Sequence, residues 1–213
     1  MDFLDPKIEQ YALTYSEPES DLLYELNRQT NLKVLQPRML SGHLQGRILS
    51  SYSRALSPKN ILEIGTYTGY SALCLAEGLK KNGSLHTIDI NKELASFTKY
   101  FFDKSKYKDQ IHFHIGDALE LIPKIQYEWD LVFIDADKEN YSSYFDLIID
   151  HVRPGGWIIA DNVLWSGKVL KPTHKNDLET RAIKAFNEKI KSDSRVYHFL
   201  LPVRDGMMII TKK

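Results

Sequence analysis

Five short apolar segments alternate with helix-like segments, and this alternation constrains the fold more than any other feature. The apolar segments cover residues 60–64, 84–89, 110–115, 129–134 and 157–160. Their length and composition are typical of strands buried on both sides, and alternation with helices favours a parallel sheet covered on both faces. Two further β-like segments, 195–201 and 206–212, flank a turn and predict an antiparallel hairpin.

Two helix-like segments precede the first strand. Asp5 and Pro6 predict the start of one helix, and Ser16 followed by Glu17 and Pro18 predicts the cap and first turn of the next. We therefore expect residues 1–36 to form accessory helices on a core of residues 37–213, together one domain. Their apolar faces would suit a dimer contact, a lid or packing on the core.

Composition and charge exclude several classes of protein. The 28 Lys and Arg residues balance the 28 Asp and Glu residues, so no overall field attracts nucleic acid or an acidic membrane. No stretch reaches the roughly 18 apolar residues of a membrane span. Cys74 is the single cysteine, so no intramolecular disulfide can form. These features predict a cytoplasmic protein with no membrane partner.

The turn after the first strand indicates a nucleoside ligand. Glu63 lies within the strand, and Gly65 and Gly69 follow at a spacing that fits neither the GxxxxGK[ST] phosphate loop nor GxGxxG. Glycines there let backbone N–H groups and a helix N-terminus approach a ligand closely. Because a buried carboxylate needs a partner, the pattern fits S-adenosylmethionine, which has no pyrophosphate. An ordinary strand–helix turn is the alternative.

Acidic residues follow four of the five apolar segments. Ligands of parallel sheets bind at the carboxyl ends of the strands, where these acids would meet. Asp89, about twenty residues beyond the glycine turn, would accept hydrogen bonds from ribose hydroxyls, and Asp117 and Ala118 would flank the adenine. Any one of these acids alone could instead be a turn residue or a helix cap.

Asp135, Asp161 and Asn162 form a second set of polar residues at strand ends. All three offer hard oxygen ligands, which favour Mg²⁺, with Ca²⁺ or Mn²⁺ as alternatives, over zinc. Lys138 lies one helical turn past Asp135 and would act as a general base, since a nearby cation disfavours the charged ammonium. The alternative for Lys138 is an ordinary solvated surface lysine.

Four motifs together resemble the cation-dependent, S-adenosylmethionine-dependent O-methyltransferases of the caffeoyl-CoA and catechol type. They are EIGTYTGYS at 63–71, DINKE at 89–93, VFIDADKENY at 132–141 and DNVLWSG at 161–167. The resemblance covers the chain from about Met39 onward. It implies a Rossmann-like class I fold, a seven-stranded, mostly parallel sheet with an antiparallel C-terminal hairpin, and commonly a homodimer.

The same resemblance implies roles for individual residues. Metal ligation falls to Asp135, Asp161 and Asn162, and the base is Lys138. We also assign substrate contacts to Asp137 and to Trp165, which could form an aromatic wall. Cofactor contacts are expected from the glycine turn and the neighbouring strand ends: Met39, Ser41, Glu63, Gly65, Thr66, Tyr67, Ser71, Asp89, Asp117, Ala118 and Asp135.

The expected reaction is methyl transfer to one hydroxyl of a vicinal diphenol, a small phenolic molecule of catechol or caffeoyl type. The animal catechol enzymes carry a glutamate ahead of the last strand, where this chain has Phe199. Substrate identity therefore stays open. Methylation of a hydroxylated nucleoside in tRNA is a second candidate, although neutral charge disfavours a large RNA footprint. A NAD-dependent oxidoreductase or a non-catalytic nucleoside-binding module is a third.

Overall fold

The computed structural model describes residues 5–213, which form a helix-covered sheet. The strands are β1 (Asn60–Ile64), β2 (Ser84–Asp89), β3 (Ile111–Ile115), β4 (Trp129–Ile134), β5 (Val152–Ala160), β6 (Val196–Leu201) and β7 (Met207–Lys212). The α-helices are α1 (Pro6–Thr14), α2 (Asp21–Lys33), α3 (Gly42–Leu56), α4 (Tyr70–Ala76), α5 (Ala95–Lys104), α6 (Ala118–Leu121), α7 (Tyr141–Ile148) and α8 (Leu178–Ser192). Short 3₁₀ segments include Pro37–Met39, Lys138–Asn140 and Trp165–Leu170.

Within the described range, seven strands form one sheet in the order β3-β2-β1-β4-β5-β7-β6. The pairs β1–β2, β1–β4, β2–β3 and β4–β5 are parallel. β7 runs antiparallel to both β5 and β6, because a short hairpin returns it between them. The predicted Rossmann-like class I fold, with its antiparallel C-terminal hairpin, is confirmed.

Helices cover both faces of the sheet, as its apolar strands require. One core layer packs α7 and α8 on the sheet through residues such as Phe145 and Phe186. The opposite layer packs α2, α3, α4 and α5 through residues such as Leu26, Leu49 and Phe101. β4 is buried almost throughout, because it lies centrally between the two layers. No helix in residues 5–213 has the length and apolar content needed to cross a bilayer.

The second helix begins later than the sequence predicted. Ser20, not Ser16, is its N-cap, accepting a hydrogen bond from the backbone N–H of Leu23. The Ser16 hydroxyl instead donates back to the carbonyl of Ala12. The intervening Glu17 is held away from the helix, because its carboxylate pairs with arginines of α3.

β5 begins at Val152, five residues before the predicted segment 157–160, and includes Pro154, Gly155 and Gly156. The pairing with β4 is irregular here. β4 advances from Trp129 to Leu131 while β5 advances from Val152 to Trp157, so the extra residues bulge out of the ladder. Regular pairing then continues to Ala160 and places the next residue, Asp161, at the edge of the sheet.

Candidate active site

The carboxyl ends of the parallel strands meet at one edge, as the sequence predicted. The backbone N–H of Asp135 donates to the carbonyl of Ile64 at 2.8 Å, and that of Asp161 donates to Ile134 at 2.9 Å. On the other side of β1, the N–H of Gly116 donates to the carbonyl of Asp89 at 2.9 Å. The sheet ladder therefore continues one residue past each strand and fixes the backbone of these acids side by side.

The glycine turn packs directly on this edge. Gly65 has φ +101°, and a Cβ there would lie 1.9 Å from the carbonyl oxygen of Asp135. The backbone N–H of Tyr67 donates to Asp89 Oδ2 at 2.6 Å, so the turn and the end of β2 hold each other. Gly69, at φ +89°, is the N-cap of α4. The turn thus forms a concave stretch of backbone, the cradle, and its close packing on Asp135 is possible only because residue 65 is a glycine.

Glu63 lies beneath this cradle as a fully buried carboxyl group. Burial raises its pKa to about 8, although the hydrogen bond from Thr87 and the nearby Ser71 hydroxyl favour the charged form. Its Oε1 atom is buried and has no hydrogen-bond partner among residues 5–213. An acceptor in that state needs a ligand donor or its own proton, so Glu63 fits a cofactor contact.

The other predicted cofactor residues surround the same turn or the adjacent strand ends. Ser41 is buried at the start of α3, whereas Met39 is 58% exposed in the preceding 3₁₀ turn. Thr66 is buried and shares a hydrogen bond with Thr87. The accessory segment also reaches the turn, since the Tyr67 hydroxyl donates to the carbonyl of Gln36 at 2.7 Å.

Asp117 and Ala118 follow β3 at the start of α6. The Asp117 carboxylate accepts from the N–H of Leu119 at 2.8 Å and caps this helix, which is the ordinary role that a single strand-end acid can have. Ala118 is buried beneath it. Their contact with an adenine ring stays a prediction.

Lys138 is buried, at 7% exposure, so the alternative of a solvated surface lysine is wrong. Its Nζ donates to Asp135 Oδ1 at 3.2 Å and to the Tyr141 hydroxyl at 2.6 Å. Burial, with the charges of Asp135 and Asp161, raises the Tyr141 pKa well above its ordinary value, so that hydroxyl keeps its proton. It donates to the carbonyl of Asp161 at 3.0 Å.

Asp161 is nearly fully buried on the far side of Lys138. Burial and the charge of Asp135 raise its pKa to about 6. Asn162 follows with a left-handed backbone, φ +59°, and its N–H donates to Asp161 Oδ1 at 2.8 Å. Because the negative charges of Asp135 and Asp161 repel each other, a cation between them would stabilise both carboxylates in their ionised form.

Among the described residues, no group of three or more His, Cys, Asp or Glu side chains is arranged to hold a metal ion. The set predicted here contains two carboxylates and takes its third oxygen from the amide of Asn162. Its chemistry matches a hard cation that retains water ligands. The oxygen donor types of the three residues would suit Mg²⁺, and their role as metal ligands stays a prediction.

The two predicted substrate residues differ in their surroundings. Asp137 accepts hydrogen bonds from Tyr144 and from Asn140, both at the start of the following helix, which gives it a bracing role. Trp165 lies beside Lys138, whose Nζ is 5.8 Å from the centre of the indole ring. Its indole N–H is buried and has no acceptor among residues 5–213. Both substrate assignments stay predictions.

Comparison with known proteins identifies the family. The model of a family described as O-methyltransferase matches residues 13–213, nearly the whole chain. The chain belongs to the O-methyltransferase family. The glycine turn and the strand-end acids agree with that membership, and the predicted class, an S-adenosylmethionine-dependent O-methyltransferase, is confirmed at the level of the family.

This O-methyltransferase matches most of the length of the relatives described here. A probable caffeoyl-CoA O-methyltransferase 2 of Dictyostelium discoideum is 32% identical, covering 95% of this chain and 90% of that protein. Catechol O-methyltransferase domain-containing protein 1 of Mus musculus is 31% identical, covering 98% and 80%. The crystal structure of the O-methyltransferase TomG from Streptomyces achromogenes, in complex with S-adenosylmethionine, superimposes with a TM-score of 0.90 at 26% identity, covering 97% and 96%.

The structure of the O-methyltransferase also reveals site residues that sequence reasoning missed. Tyr141 received no role from the sequence, although it ends the motif at 132–141; its hydroxyl lies between Lys138 and the backbone of Asp161. Gln45 donates to Asp161 from α3. The carboxylate of Asp205 accepts from the N–H of Ser166 at 2.6 Å. The position of Tyr141, three residues after Lys138, was the one available signal.

Proposed function

We propose that this O-methyltransferase transfers the methyl group of S-adenosylmethionine to one hydroxyl of a vicinal diphenol, with a divalent cation bound at Asp135, Asp161 and Asn162. The observation that carries this proposal is the buried Lys138 amine, held by Asp135 and Tyr141 against the two strand-end acids. Burying a lysine beside two carboxylates has a large desolvation cost, and such ionisable groups are concentrated at functional sites. The names of the caffeoyl-CoA and catechol relatives support the same acceptor class.

The methyl donor would occupy the cradle of the glycine turn. The unpartnered, buried Oε1 of Glu63 suits a donor group of the ligand, and Gly65 leaves room for close approach. Asp89 would accept from ribose hydroxyls, although each of its oxygens already holds one backbone N–H, from Tyr67 and from Asn91. A carboxylate oxygen has a second lone pair, so the two roles are compatible.

Mg²⁺ is the proposed cation, with Ca²⁺ and Mn²⁺ as alternatives. When bound, S-adenosylmethionine supplies the electrophilic methyl group, and the cation supplies positive charge that favours ionisation of a nearby phenol. Asp135, Asp161 and Asn162 would hold the cation through oxygen atoms. The buried position of Asp161 strengthens these electrostatic interactions, because little water screens them.

The protein's own part in the reaction is proton removal and orientation. Lys138 in its neutral form would take the proton of the acceptor hydroxyl at Nζ, while that oxygen forms a bond to the methyl carbon and the carbon–sulfur bond breaks. Tyr141 fixes the direction of the Lys138 amine, since its hydroxyl oxygen accepts from Nζ and its proton is committed to the Asp161 carbonyl. Trp165 would line one side of a planar acceptor.

Replacing one proposed ligand tests the cation site. Asp161→Ala should abolish Mg²⁺-stimulated methylation of catechol, while S-adenosylhomocysteine binding, measured by calorimetry, stays within about threefold because Glu63 and the glycine turn are unaltered. The matched control is Asp193→Ala, which removes a carboxylate that follows α8 and pairs with Arg195. Mg²⁺-stimulated turnover that survives in Asp161→Ala would remove Asp161 from the proposed site.

A methyl-transfer screen tests the acceptor class. We expect labelled methyl from S-adenosylmethionine to enter catechol or caffeoyl-CoA, and not unmodified tRNA. The alternative, methylation of a hydroxylated nucleoside, predicts label in hydroxylated tRNA and little in free diphenols. A product from the tRNA arm alone would replace the proposed small-molecule acceptor.

We also propose a homodimer, and residues 1–36 as accessory helices on a 37–213 core, with residues 1–4 lying outside the described residues. Tyr197 and Phe199 are 66% and 52% exposed on edge strand β6. They lie on the same face of the sheet as the core layer that contains α3. Half-buried Trp157, Tyr52 and Leu201 adjoin them. A continuous apolar face of this kind on a helix-covered sheet is typical of a protein interface. The predicted cytoplasmic location stays a prediction.

A further inference from the structure

A buried chain of hydrogen bonds joins the proposed cation site to two distant parts of the sequence. Gln45, in the first turn of α3, is 2% exposed. Its Nε2 donates to Asp161 Oδ2 at 2.6 Å, and its Oε1 accepts from Arg204 Nη1 at 2.8 Å. Arg204 belongs to the turn between β6 and β7 and has φ +52°. The first and last thirds of the chain thus meet at one carboxylate.

The partners of Gln45 fix the orientation of its amide. A guanidinium can only donate hydrogen bonds, so the amide oxygen must face Arg204. The amide N–H then necessarily faces Asp161, whose ionised carboxylate can only accept. Arg204 therefore makes the Gln45 side chain present its amide nitrogen to Asp161, although Arg204 and Asp161 themselves do not form an ion pair.

Both carboxylate oxygens of Asp161 are engaged by these and adjacent contacts. Oδ2 accepts from Gln45, and Oδ1 accepts from the backbone N–H of Asn162 at 2.8 Å. Two donors on different oxygens define the rotation of the carboxylate plane. Each oxygen keeps a second lone pair, so a ligand position remains open.

The neutrality of the glutamine matters for a cation site. A lysine or arginine in direct contact with Asp161 would offset its charge and compete with a bound cation. An amide donor stabilises the buried carboxylate without adding positive charge next to it. The arginine charge is kept one side chain away and polarises the amide toward Asp161.

We propose that Gln45 is a positioning residue that fixes the Asp161 carboxylate for a divalent cation, with Arg204 holding the amide in the required orientation. This inference rests on the proposed function, in which Asp161 is a ligand. Its role resembles that of hydrogen-bond partners that orient metal ligands elsewhere, whose loss typically weakens metal affinity about 10–100-fold.

The test measures cation affinity directly, in the full chain with S-adenosylhomocysteine present. Gln45→Met keeps the length of the side chain and removes both hydrogen bonds. We expect its Mn²⁺ dissociation constant, followed by electron paramagnetic resonance, to rise about 10–100-fold, with a changed spectrum of the bound ion. Arg204→Met should raise it by a smaller factor, and S-adenosylhomocysteine affinity should change less than about threefold.

Ser53→Ala is the matched control, because Ser53 is also a buried polar residue of α3 and donates to the carbonyl of Leu75, away from Asp161. It should leave Mn²⁺ affinity and the spectrum unchanged. If Gln45→Met loses its folded state, Arg204→Met supplies the same readout from a partly exposed position.

Two failures can be told apart. Mn²⁺ affinity that falls in Asp161→Ala but is unchanged in both Gln45→Met and Arg204→Met would overturn the positioning role and leave the cation site intact. Absence of Mn²⁺ binding by the unaltered protein would overturn the cation site and this inference together.

Discussion

Glu63 is a carboxyl group held away from water beneath the glycine turn. Its pKa of about 8 in the folded protein lies above the ordinary 4.5, chiefly because burial disfavours the charge. The folded state therefore binds the proton more tightly than the unfolded chain. The resulting stability is fully present below about pH 4.5 and is lost as the pH rises through 8.

Replacing Glu63 should remove this pH dependence. In the absence of cofactor, Glu63→Gln is expected to gain stability over the unaltered protein between pH 5 and pH 9, on the order of 3 kcal/mol. Urea unfolding of both proteins at each pH measures it, and the difference between them cancels groups that titrate in the same range, such as Asp161. Parallel pH profiles would contradict a raised pKa at Glu63.

Gly65 tests how tightly the turn packs on the strand ends. Gly65→Ala should lower the free energy of unfolding by about 2–4 kcal/mol, because left-handed backbone strain adds to a clash with the Asp135 carbonyl. Gly155→Ala is the control: it has φ +73°, but its new Cβ would meet only Arg153, at 3.5 Å. Equal losses in both variants would show that backbone strain alone matters.

The residue types at the strand ends could be predicted from the sequence, because each directly follows a short apolar strand. The contacts among them could not. Gln45 lies 116 residues before Asp161 in the sequence. Gln45 and Arg204, which also contact each other, are 159 residues apart. No local pattern marks such partners, since they are chosen by how the helices and the hairpin pack.

The loop after β5 is held in place by the turn between β6 and β7. The N–H groups of Val163 and Leu164 donate to the carbonyls of Gly206 and Asp205, and the Asp205 carboxylate accepts from Ser166. Trp165 and Ser166 both have positive φ, an uncommon conformation for residues other than glycine. The hairpin therefore stabilises a loop that would not adopt this shape alone.

Asp205→Ala should loosen that loop without unfolding the protein. Loss of one hydrogen bond, worth about 1 kcal/mol, predicts amide exchange at Ser166 that is roughly five- to tenfold faster. Hydrogen exchange with mass spectrometry or NMR measures it. Asp193→Ala, which removes a carboxylate on the exposed approach to β6, should leave Ser166 unaffected, and unchanged exchange in Asp205→Ala would disprove the bracing contact.

Elements that are defined by burial were predicted well, whereas ends that depend on side-chain partners were not. β1, β2 and β4 have the predicted bounds, because their apolar runs stop where the sheet stops. The N-cap of α2, Ser20, lies four residues beyond the predicted cap, because Glu17 pairs with α3 and Glu19 accepts from the Tyr70 hydroxyl instead of entering the helix. Such competition for a carboxylate is visible only in the folded chain.

At the scale of the molecule, edge strand β6 leaves Tyr197 and Phe199 exposed on one face of the sheet. Phe199→Glu should convert the proposed homodimer into a monomer, because a charge at the centre of an apolar interface is costly to bury. Light scattering coupled to size exclusion measures the mass. Leu170→Glu, at an 86% exposed apolar residue away from this face, should not change it. A monomeric unaltered protein would rule out this interface.

The central claim is that this O-methyltransferase works through a cation held at the ends of β4 and β5. The most direct test is the initial rate of methyl transfer to catechol after treatment with a chelator and after readdition of Mg²⁺. We predict that the rate falls at least about 100-fold in chelator and returns with Mg²⁺, while S-adenosylhomocysteine binding persists throughout. An undiminished rate in chelator would contradict the cation mechanism.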